Sequence, residues 1–273
     1  ALDALGSLRA ISRLGIGVDM VDTEAATRFG VAVANTPDYC TEEVALHALA
    51  LAFSLLRGVV DHDAAVRRGE WDPVGGYPAA RRPSATTIGI LGFGRIGSRV
   101  AQGALAVGFD VIVHDLAPMH DHVRAIGAKP VELDELLTGS DLITLHAPLT
   151  AQTRQILGAT AFAQMKRGAF VVNTTRGELV DEPALVAALE RGHLGGAALD
   201  VFAREPLSPD SPLRRAPRVV LTPHSAWYSP DALRELPRRA AENLVSLLAG
   251  KDSPALLNPE FAQHLRTRQL DAR

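Results

Sequence analysis

The feature that most constrains this chain is a glycine-rich turn between a short apolar run and a helical segment. Residues 86–91 are apolar and β-branched and have the length of a strand. Gly92, Gly94 and Gly97 follow and form the pattern G-x-G-x-x-G. The first glycine permits a tight turn, the second lets a ligand approach the backbone, and the third lets the helix pack closely on its strand. Strand, turn and helix together predict a nucleotide-binding βαβ unit.

The residues after the turn indicate which nucleotide would bind. The helical segment ends near Gly108, and Asp115 follows a second apolar strand, eighteen residues after Gly97. Unpaired N–H groups at the start of such a helix bind phosphate, and a carboxylate at this distance accepts the ribose hydroxyls. The carboxylate would repel a 2′-phosphate, so the motif favours NAD over NADP. A glycine turn that binds nothing is the alternative, which the flanking strand, helix and acid disfavour.

Composition and charge exclude several classes of protein. The chain of 273 residues has 28 basic and 31 acidic residues and a net charge of −3, so nothing indicates a nucleic acid or an anionic membrane as partner. A single cysteine, Cys40, excludes an intrachain disulfide framework and a cysteine metal site. Residues 120–122, His-Asp-His, are predicted to be an exposed loop rather than part of a metal site. We expect no metal, no signal peptide, no transmembrane segment and a cytoplasmic location.

Strand and helix patterns alternate along most of the chain. Strand patterns recur at residues 142–146, 170–173, 196–199 and 219–221, with helical segments between them. With the unit around the glycine turn, they predict an α/β fold with a doubly wound parallel sheet of about six strands. Polar residues follow several of these strands, at the edge where such a sheet binds its ligand.

Two segments outside this sheet predict a second, smaller domain. Residues 8–14 and 31–34 have strand patterns on either side of a short helix, but two parallel strands are not a stable sheet alone. A long apolar helix is predicted from Thr41 to Arg57 and can bridge two domains. The predicted domains are an NAD-binding domain, 42–228, and a partial substrate domain, 1–41 with 229–273.

Three polar residues that follow strands are candidates for catalysis. The guanidinium of Arg176 can bind a carboxylate through two hydrogen bonds. His224 is a candidate acid and base, since histidine exchanges protons near neutral pH, and Glu205 could fix its ring. Each also has an ordinary interpretation, as a surface ion pair, a strand-end cap or a loop acid, and spacing alone does not decide between them.

The ordered set of motifs resembles the D-isomer-specific 2-hydroxyacid dehydrogenases. After RIGSRVA in the glycine turn come LHAPLT at 145–150, NTTRGELVDE at 173–182, ALDVFAREPL at 198–207 and LTPHSAW at 221–227. The resemblance covers residues 8–259. It implies a Rossmann cofactor domain, a smaller flavodoxin-like substrate domain, and NAD-dependent hydride transfer between nicotinamide and C2 of a 2-keto acid or D-2-hydroxy acid.

The resemblance also implies roles for individual residues. Arg176, Glu205 and His224 match the catalytic residues of the family. The residues implied to bind the cofactor are Gly92, Gly94, Arg95, Ile96, Gly97, Asp115, His146, Pro148, Thr153, Thr174 and Asp200, the last through the nicotinamide carboxamide. The residues implied to bind the substrate are Ile16, Gly17, Arg176 and Trp227.

Within the family, residues 37–51 and 224–229 most resemble the branch that contains the C-terminal-binding proteins and their bacterial dehydrogenase relatives. This branch suggests an alternative function, a dimeric scaffold that senses NADH with little or no turnover. A homodimer is a family expectation in either case. Trp227 would line a pocket for an apolar side chain, or else lie in the core or at the dimer face.

Two departures from the family pattern affect these expectations. Leu46 stands where relatives usually have an acid, so one polar contact is expected to be lost. The family's substrate domain usually begins with strand–helix units before the segment that matches Leu8. We therefore expect the smaller domain of this chain to be N-terminally incomplete.

Overall fold

The computed structural model describes residues 6–75, 77, 80–117, 119–251 and 253–265. The strands are β1 (Ala10–Ser12), β2 (Ala32–Ala34), β3 (Thr87–Leu91), β4 (Asp110–His114), β5 (Lys129–Pro130), β6 (Leu142–Leu145), β7 (Phe170–Asn173), β8 (Gly196–Leu199) and β9 (Val219–Leu221). The helices are α1 (Thr23–Arg28), α2 (Thr41–Arg57), α3 (Val59–Arg67), α4 (Arg95–Val107), α5 (His120–Ala125), α6 (Leu133–Gly139), α7 (Ala159–Gln164), α8 (Glu182–Glu190) and α9 (Pro230–Leu248).

The chain divides into two compact units. The smaller unit comprises Ala1–Cys40 and Tyr228–Arg273, and the larger unit comprises Thr41–Trp227. The outer ends of the predicted substrate domain, residues 1–5 and 266–273, lie outside the described residues. The assignment of the smaller unit to the substrate remains a prediction.

The smaller unit contains a parallel pair of strands, β1 and β2, in which Ile11 is opposite Val33. The side chain of Asn258 covers the edge of β2, since its Oδ1 accepts from Val33 N at 2.7 Å and its Nδ2 donates to Val31 O at 2.9 Å. Helix α9 is capped by the preceding Ser229, whose hydroxyl accepts from Ala232 N. It runs past Pro237 as one helix.

The larger unit is built on a sheet of seven parallel strands in the order β5-β4-β3-β6-β7-β8-β9. Its central strands are short apolar runs, and β6, β7 and β8 are buried along their whole length, as expected when helices cover both faces. The predicted doubly wound parallel sheet is confirmed. It has one strand more than expected because β5 is only two residues long and left no pattern in the sequence.

Two hydrophobic cores lie on opposite faces of this sheet. One core contains residues of α2, α4 and α5, with Leu55 and Val100 among its buried side chains. The other contains residues of α6, α7 and α8, with Phe162 and Leu185 among them. The helices after β3 and β4 thus pack on one face and those after β5, β6 and β7 on the other, and the order of the sheet reverses between β3 and β6. A ligand crevice is expected at the carboxyl ends of these two strands.

Helix α2 has one apolar face, which packs in the core through side chains such as Ala48 and Leu55. Leu46 lies off this face and is 70% exposed. Among the described residues, no single helix is long and apolar enough to span a membrane. The pair that reaches such a length and composition, α2 with α3, is bent by 61°.

The segment between α3 and β3 is anchored by two of its residues, Tyr77 and Arg81. Tyr77 is buried and its hydroxyl donates to Leu55 O at 2.5 Å, and burial raises the pKa of Tyr77 to about 12. Arg81 donates to the buried carboxylate of Asp141 at 2.7 Å. Trp71, by contrast, is 85% exposed.

Candidate active site

The glycine turn joins β3 to α4 at the point where the order of the sheet reverses. Gly92 has a φ of 98°, in the left-handed region that favours glycine. A Cβ on Gly92 would overlap with the backbone of Ala147, and a Cβ on Gly97 would overlap with the carbonyl oxygen of Gly92. These two glycines are therefore required by contacts within the protein.

Gly94 differs from the other two glycines of the turn. A Cβ on Gly94 would meet no heavy atom within 4 Å, so its missing side chain leaves open space beside the turn. Gly94 is the N-cap of α4 and supplies no side-chain cap. Within the described part of the chain, the N–H groups of Arg95 and Ile96 have no hydrogen-bond partner. Such N–H groups, at the positive end of the helix dipole, can bind a phosphate.

Asp115 follows β4 and is held beside the turn. Its Oδ2 accepts from Phe93 N at 2.5 Å, and its Oδ1 accepts from Ala117 N at 2.8 Å. A carboxylate has about four acceptor positions, so both oxygens can accept further hydrogen bonds. The carboxylate is thus oriented by the backbone and still able to bind hydroxyl groups.

Two buried polar atoms near the carboxyl ends of β6 and β7 have no hydrogen-bond partner among the described residues, namely Nδ1 of His146 and Oγ1 of Thr174. The other ring nitrogen of His146 lies 2.9 Å from Thr144 Oγ1. Burial lowers the pKa of His146 to about 3, so the ring is neutral. An unpaired buried polar atom costs about 1–3 kcal/mol, and a polar ligand in the crevice would remove that cost. The unpaired groups and the open space at Gly94 fit a dinucleotide.

The loop after β6 is held from inside by Thr153. Its hydroxyl donates to Pro148 O at 2.7 Å and accepts from Thr150 N at 2.8 Å, and the residue is only 1% exposed. Pro148 is exposed. Thr153 therefore shapes the loop, and direct contact of either residue with a cofactor remains a prediction.

Arg176 lies in the loop after β7, which Asn173 organises. The buried Asn173 side chain donates from Nδ2 to Arg176 O at 2.8 Å and accepts at Oδ1 from Thr175 N at 3.0 Å. A Cβ on Gly177 would overlap with the backbone of Phe202, so this loop packs directly on the loop after β8. That second loop carries Glu205.

Glu205 and His224, in the loops after β8 and β9, are joined by a hydrogen bond. Glu205 Oε2 lies 2.6 Å from His224 Nδ1, and Glu205 Oε1 accepts from Phe202 N at 3.0 Å. Because a carboxylate only accepts, Nδ1 of His224 is the donor, which leaves Nε2 to exchange a proton. His224 has a φ of 53°, which is uncommon for a residue with a side chain and recurs at functional sites.

Asp200 is fully buried at the end of β8 and holds the turn that carries His224. Its Oδ1 accepts from Thr222 Oγ1 at 2.6 Å and from Ser225 N at 2.9 Å, and its Oδ2 accepts from Ala226 N at 2.9 Å. Sequence reasoning missed this organising role. The signal was a run of hydroxyl and small residues around a histidine, next to a strand that ends in an acid. Contact of Asp200 with a nicotinamide remains a prediction.

Comparison with known proteins identifies the family. Residues 49–226 match the family model for the D-isomer specific 2-hydroxyacid dehydrogenase, NAD binding domain. The chain belongs to this family. The glyoxylate reductase of Aeropyrum pernix is 42% identical over 261 residues, which are 94% of this chain and 78% of that protein. The glycerate dehydrogenase of Methylorubrum extorquens is 38% identical over 256 residues, 92% of this chain and 79% of that protein.

A solved structure agrees with the sequence comparison. The D-lactate dehydrogenase from Aquifex aeolicus, complexed with NAD and lactic acid, superposes with a TM-score of 0.85 at 30% identity, covering 91% of this chain and 79% of that one. The predicted family, the Rossmann fold and NAD as cofactor are therefore confirmed. This 2-hydroxyacid dehydrogenase is an NAD-dependent oxidoreductase of 2-hydroxy acids.

The residues expected to bind the substrate of this dehydrogenase include Ile16, Gly17 and Trp227. Ile16 and Gly17 follow β1 in the smaller unit, where Ile16 O accepts from Asn35 Nδ2 at 2.7 Å. Trp227 is the last residue of the larger unit and is half-buried. Their contact with the substrate remains a prediction.

The part of the dehydrogenase that the structure describes was compared with the side-chain sets that bind metal ions. No group of three or more His, Cys, Asp or Glu side chains there could hold an ion. Residues 120–122 form the first turn of α5. The prediction that they are a loop was wrong, because Asp121 and the following apolar Val123 suit the start of a helix packed on the sheet.

Proposed function

We propose that this dehydrogenase reduces a short 2-keto acid, with glyoxylate and pyruvate as the first candidates, and oxidises the corresponding 2-hydroxy acid in reverse. The observation that carries the proposal is the Glu205–His224 pair, with its 2.6 Å contact, on a turn held by a buried carboxylate. The choice of short substrates is supported by the glyoxylate reductase and glycerate dehydrogenase among the relatives.

His224 is the proposed acid and base. NADH supplies a hydride to C2 when it is bound, and the carbonyl oxygen then needs a proton. Nε2 of His224 donates that proton, and the ring regains it from solvent. Glu205 stabilises the positive charge on the ring and keeps Nδ1 protonated, because its carboxylate accepts from Nδ1.

Arg176 is the proposed partner of the substrate carboxylate. Its Nη1 donates to Thr175 O at 2.7 Å, which sets the direction of the guanidinium. The planar guanidinium has five N–H donors, and two of them match the spacing of a carboxylate. Positive charge at this point also polarises the neighbouring carbonyl group toward hydride attack.

The cofactor is proposed to lie along the crevice from Asp115 to Thr174. Asp115 would accept the ribose hydroxyls, and the N–H groups of Arg95 and Ile96 would bind the pyrophosphate. Backbone N–H groups of Ile16 and Gly17 would bind the substrate, and Trp227 would line its pocket.

We also propose that the dehydrogenase is a cytoplasmic homodimer that pairs through the apolar surface around α3. Helix α3 buries none of its residues, and Val59, Val66, Trp71 and Val74 are all more than half exposed. Several large exposed apolar side chains in one stretch of chain are typical of a protein interface. Trp71→Glu should convert a dimer to a monomer in light scattering, whereas Trp227→Phe should not. A monomeric wild-type protein would refute the dimer, and cell fractionation tests the location.

The experiment that tests the function is the loss of NADH absorbance with glyoxylate, pyruvate and bulkier 2-keto acids. Turnover should be highest with the short acids and should require His224. The alternative, an NADH-sensing scaffold, has no support from the comparisons. Such a scaffold would bind NADH, as measured by NADH fluorescence, and would turn over none of the 2-keto acids.

A further inference from the structure

His47 lies against the network that holds the turn of His224, although no role follows for it from the proposed chemistry. Its Nε2 is 3.1 Å from Thr222 Oγ1 and 3.6 Å from Asp200 Oδ1. The side chain is 25% exposed, whereas that of Asp200 is fully buried. His47 is a polar residue beside the mainly apolar face with which α2 packs in the core.

The direction of each hydrogen bond in this network follows from the groups involved. The hydroxyl of Thr222 has one proton, and the Asp200 carboxylate, 2.6 Å away, only accepts. Thr222 therefore donates to Asp200 and can only accept from His47. The proton on His47 must then be on Nε2. Donation runs in one direction, from His47 to Thr222 to Asp200.

The network fixes both sides of a backbone turn in the left-handed region. Thr222 lies before His224 in the chain, and Ser225 and Ala226 lie after it. The Thr222 hydroxyl and the N–H groups of Ser225 and Ala226 all donate to the carboxylate of Asp200. His224 N also donates to Asp200 O at 2.7 Å. Without a donor at position 47, the Thr222 hydroxyl loses the hydrogen bond that orients it, and its hydrogen bond to Asp200 is less well fixed.

We propose that His47 is a positioning residue for catalysis, which keeps the Thr222 hydroxyl on Asp200 and so fixes the ring of His224 at the angle needed for proton transfer. This inference rests on the proposed role of His224. His47 lies near the first residue of the larger unit and Thr222 near its last. The network therefore joins the beginning and the end of the chain segment that forms the larger unit.

The test uses two pairs of variants of the full chain. His47→Leu removes the donor and His47→Gln keeps one near the place of Nε2. Thr222→Val removes the hydroxyl and Thr222→Ser keeps it. Leu46→Ala, at an exposed neighbour on the same helix, is the control and should leave turnover unchanged. Thermal unfolding checks that each variant folds.

We expect His47→Leu to lower kcat about 10-fold, because small displacements of a reacting group have large effects on rate. KM for NADH should change less than about twofold, since the glycine turn is untouched. His47→Gln should recover most of kcat. The double variant that combines His47→Leu with Thr222→Val should be no slower than Thr222→Val alone, because His47 acts through Thr222. Three results would overturn the proposal. The first is an unchanged kcat in His47→Leu, and the second is an equal loss of kcat in His47→Leu and His47→Gln. The third is a double variant whose loss of kcat is the product of the two single losses.

A second measurement does not depend on turnover. Nitrogen-15 NMR of the histidine rings should show that the His224 signals shift and broaden in His47→Leu but not in His47→Gln. If the signals respond while His224→Ala remains active, the proton role of His224 is wrong and the positioning network stands. If the signals do not respond, the positioning role is wrong whatever the activity.

Discussion

Two parts of the carboxyl-terminal edge of the sheet, here called the cofactor edge and the catalytic edge, differ in how their polar groups are paired. At the cofactor edge, formed by residues 92–97 with Asp115, His146 and Thr174, two N–H groups, a ring nitrogen and a hydroxyl have no partner among the described residues. At the catalytic edge, formed by Arg176 and the loops after β8 and β9, both oxygens of Asp200 and of Glu205 accept hydrogen bonds from neighbouring residues.

The difference shows how binding and catalysis place different demands on one protein. A cofactor edge gains affinity when the ligand pairs groups that are unpaired without it. A catalytic edge gains rate when its groups are already in place, so that no reorganisation accompanies the reaction. Changes at the cofactor edge should therefore affect affinity, and changes at the catalytic edge should affect turnover.

The largest expected effect is at the catalytic edge. His224→Ala should lower kcat by about 10³-fold, within the range for loss of a general acid and base, because it removes the proposed proton donor. NADH affinity, measured by fluorescence titration, should stay within about twofold of wild type because the cofactor edge is intact. His120→Ala, at an exposed histidine, is the control. Turnover within about tenfold of wild type would remove His224 from the mechanism.

At the cofactor edge, Gly94→Val places a side chain in the open space beside the turn. Affinity for NADH should fall by about 100-fold, which corresponds to nearly 3 kcal/mol of lost binding. The melting temperature should hardly change, because a Cβ on Gly94 meets nothing within 4 Å. Gly97→Val is the contrast, since its side chain overlaps with Gly92 and should lower the melting temperature. A large loss of stability in Gly94→Val would show that the protein's own packing, and not cofactor binding, requires glycine at this position.

A smaller effect is expected on the choice of cofactor. Asp115→Ala removes the charge that repels a 2′-phosphate and an acceptor for the ribose hydroxyls. The ratio of kcat/KM for NADH over NADPH should fall about 10-fold, as expected for one charged hydrogen bond. The competing result is an unchanged ratio with both cofactors equally weakened, which would assign Asp115 to the turn alone, through its bond with Phe93.

The smallest effect concerns pH and the stability of the cofactor edge. Burial lowers the pKa of His146 to about 3 in the folded protein, below the ordinary value of 6.5. The unfolded chain then binds a proton that the folded chain does not, so stability is full above about pH 6.5 and is lost as the pH falls toward 3. Denaturant unfolding between about pH 7 and 5 should show a steeper loss in wild type than in His146→Asn, by at most about 1.4 kcal/mol per pH unit. Equal slopes would contradict the buried, neutral ring, and His120→Asn serves as control.

Sequence alone revealed what depends on local pattern. The glycine turn was predictable because only glycine fits at positions 92 and 97 without steric overlap. The buried strands were predictable from their apolar runs. The family motifs also identified the Glu205–His224 pair, which the structure joins at 2.6 Å.

What sequence missed depends on contacts between distant segments. Nothing near His47 indicates that it meets Thr222, which lies 175 positions further along the chain. The organising role of Asp200 likewise needs the turn after the next strand, and the inward direction of the Thr153 hydroxyl depends on how its loop folds back. Strand β5 was missed because two residues carry no periodicity.

The close packing at Gly177 limits how this site can be altered. Because the backbone at Phe202 fills the place of a side chain there, the loops that carry Arg176 and Glu205 cannot shift independently. In engineering terms they are a single rigid part, and a substitution that enlarges one loop must be accommodated by the other. Variation in substrate range is therefore easier to obtain from residues outside this pair of loops than from within it.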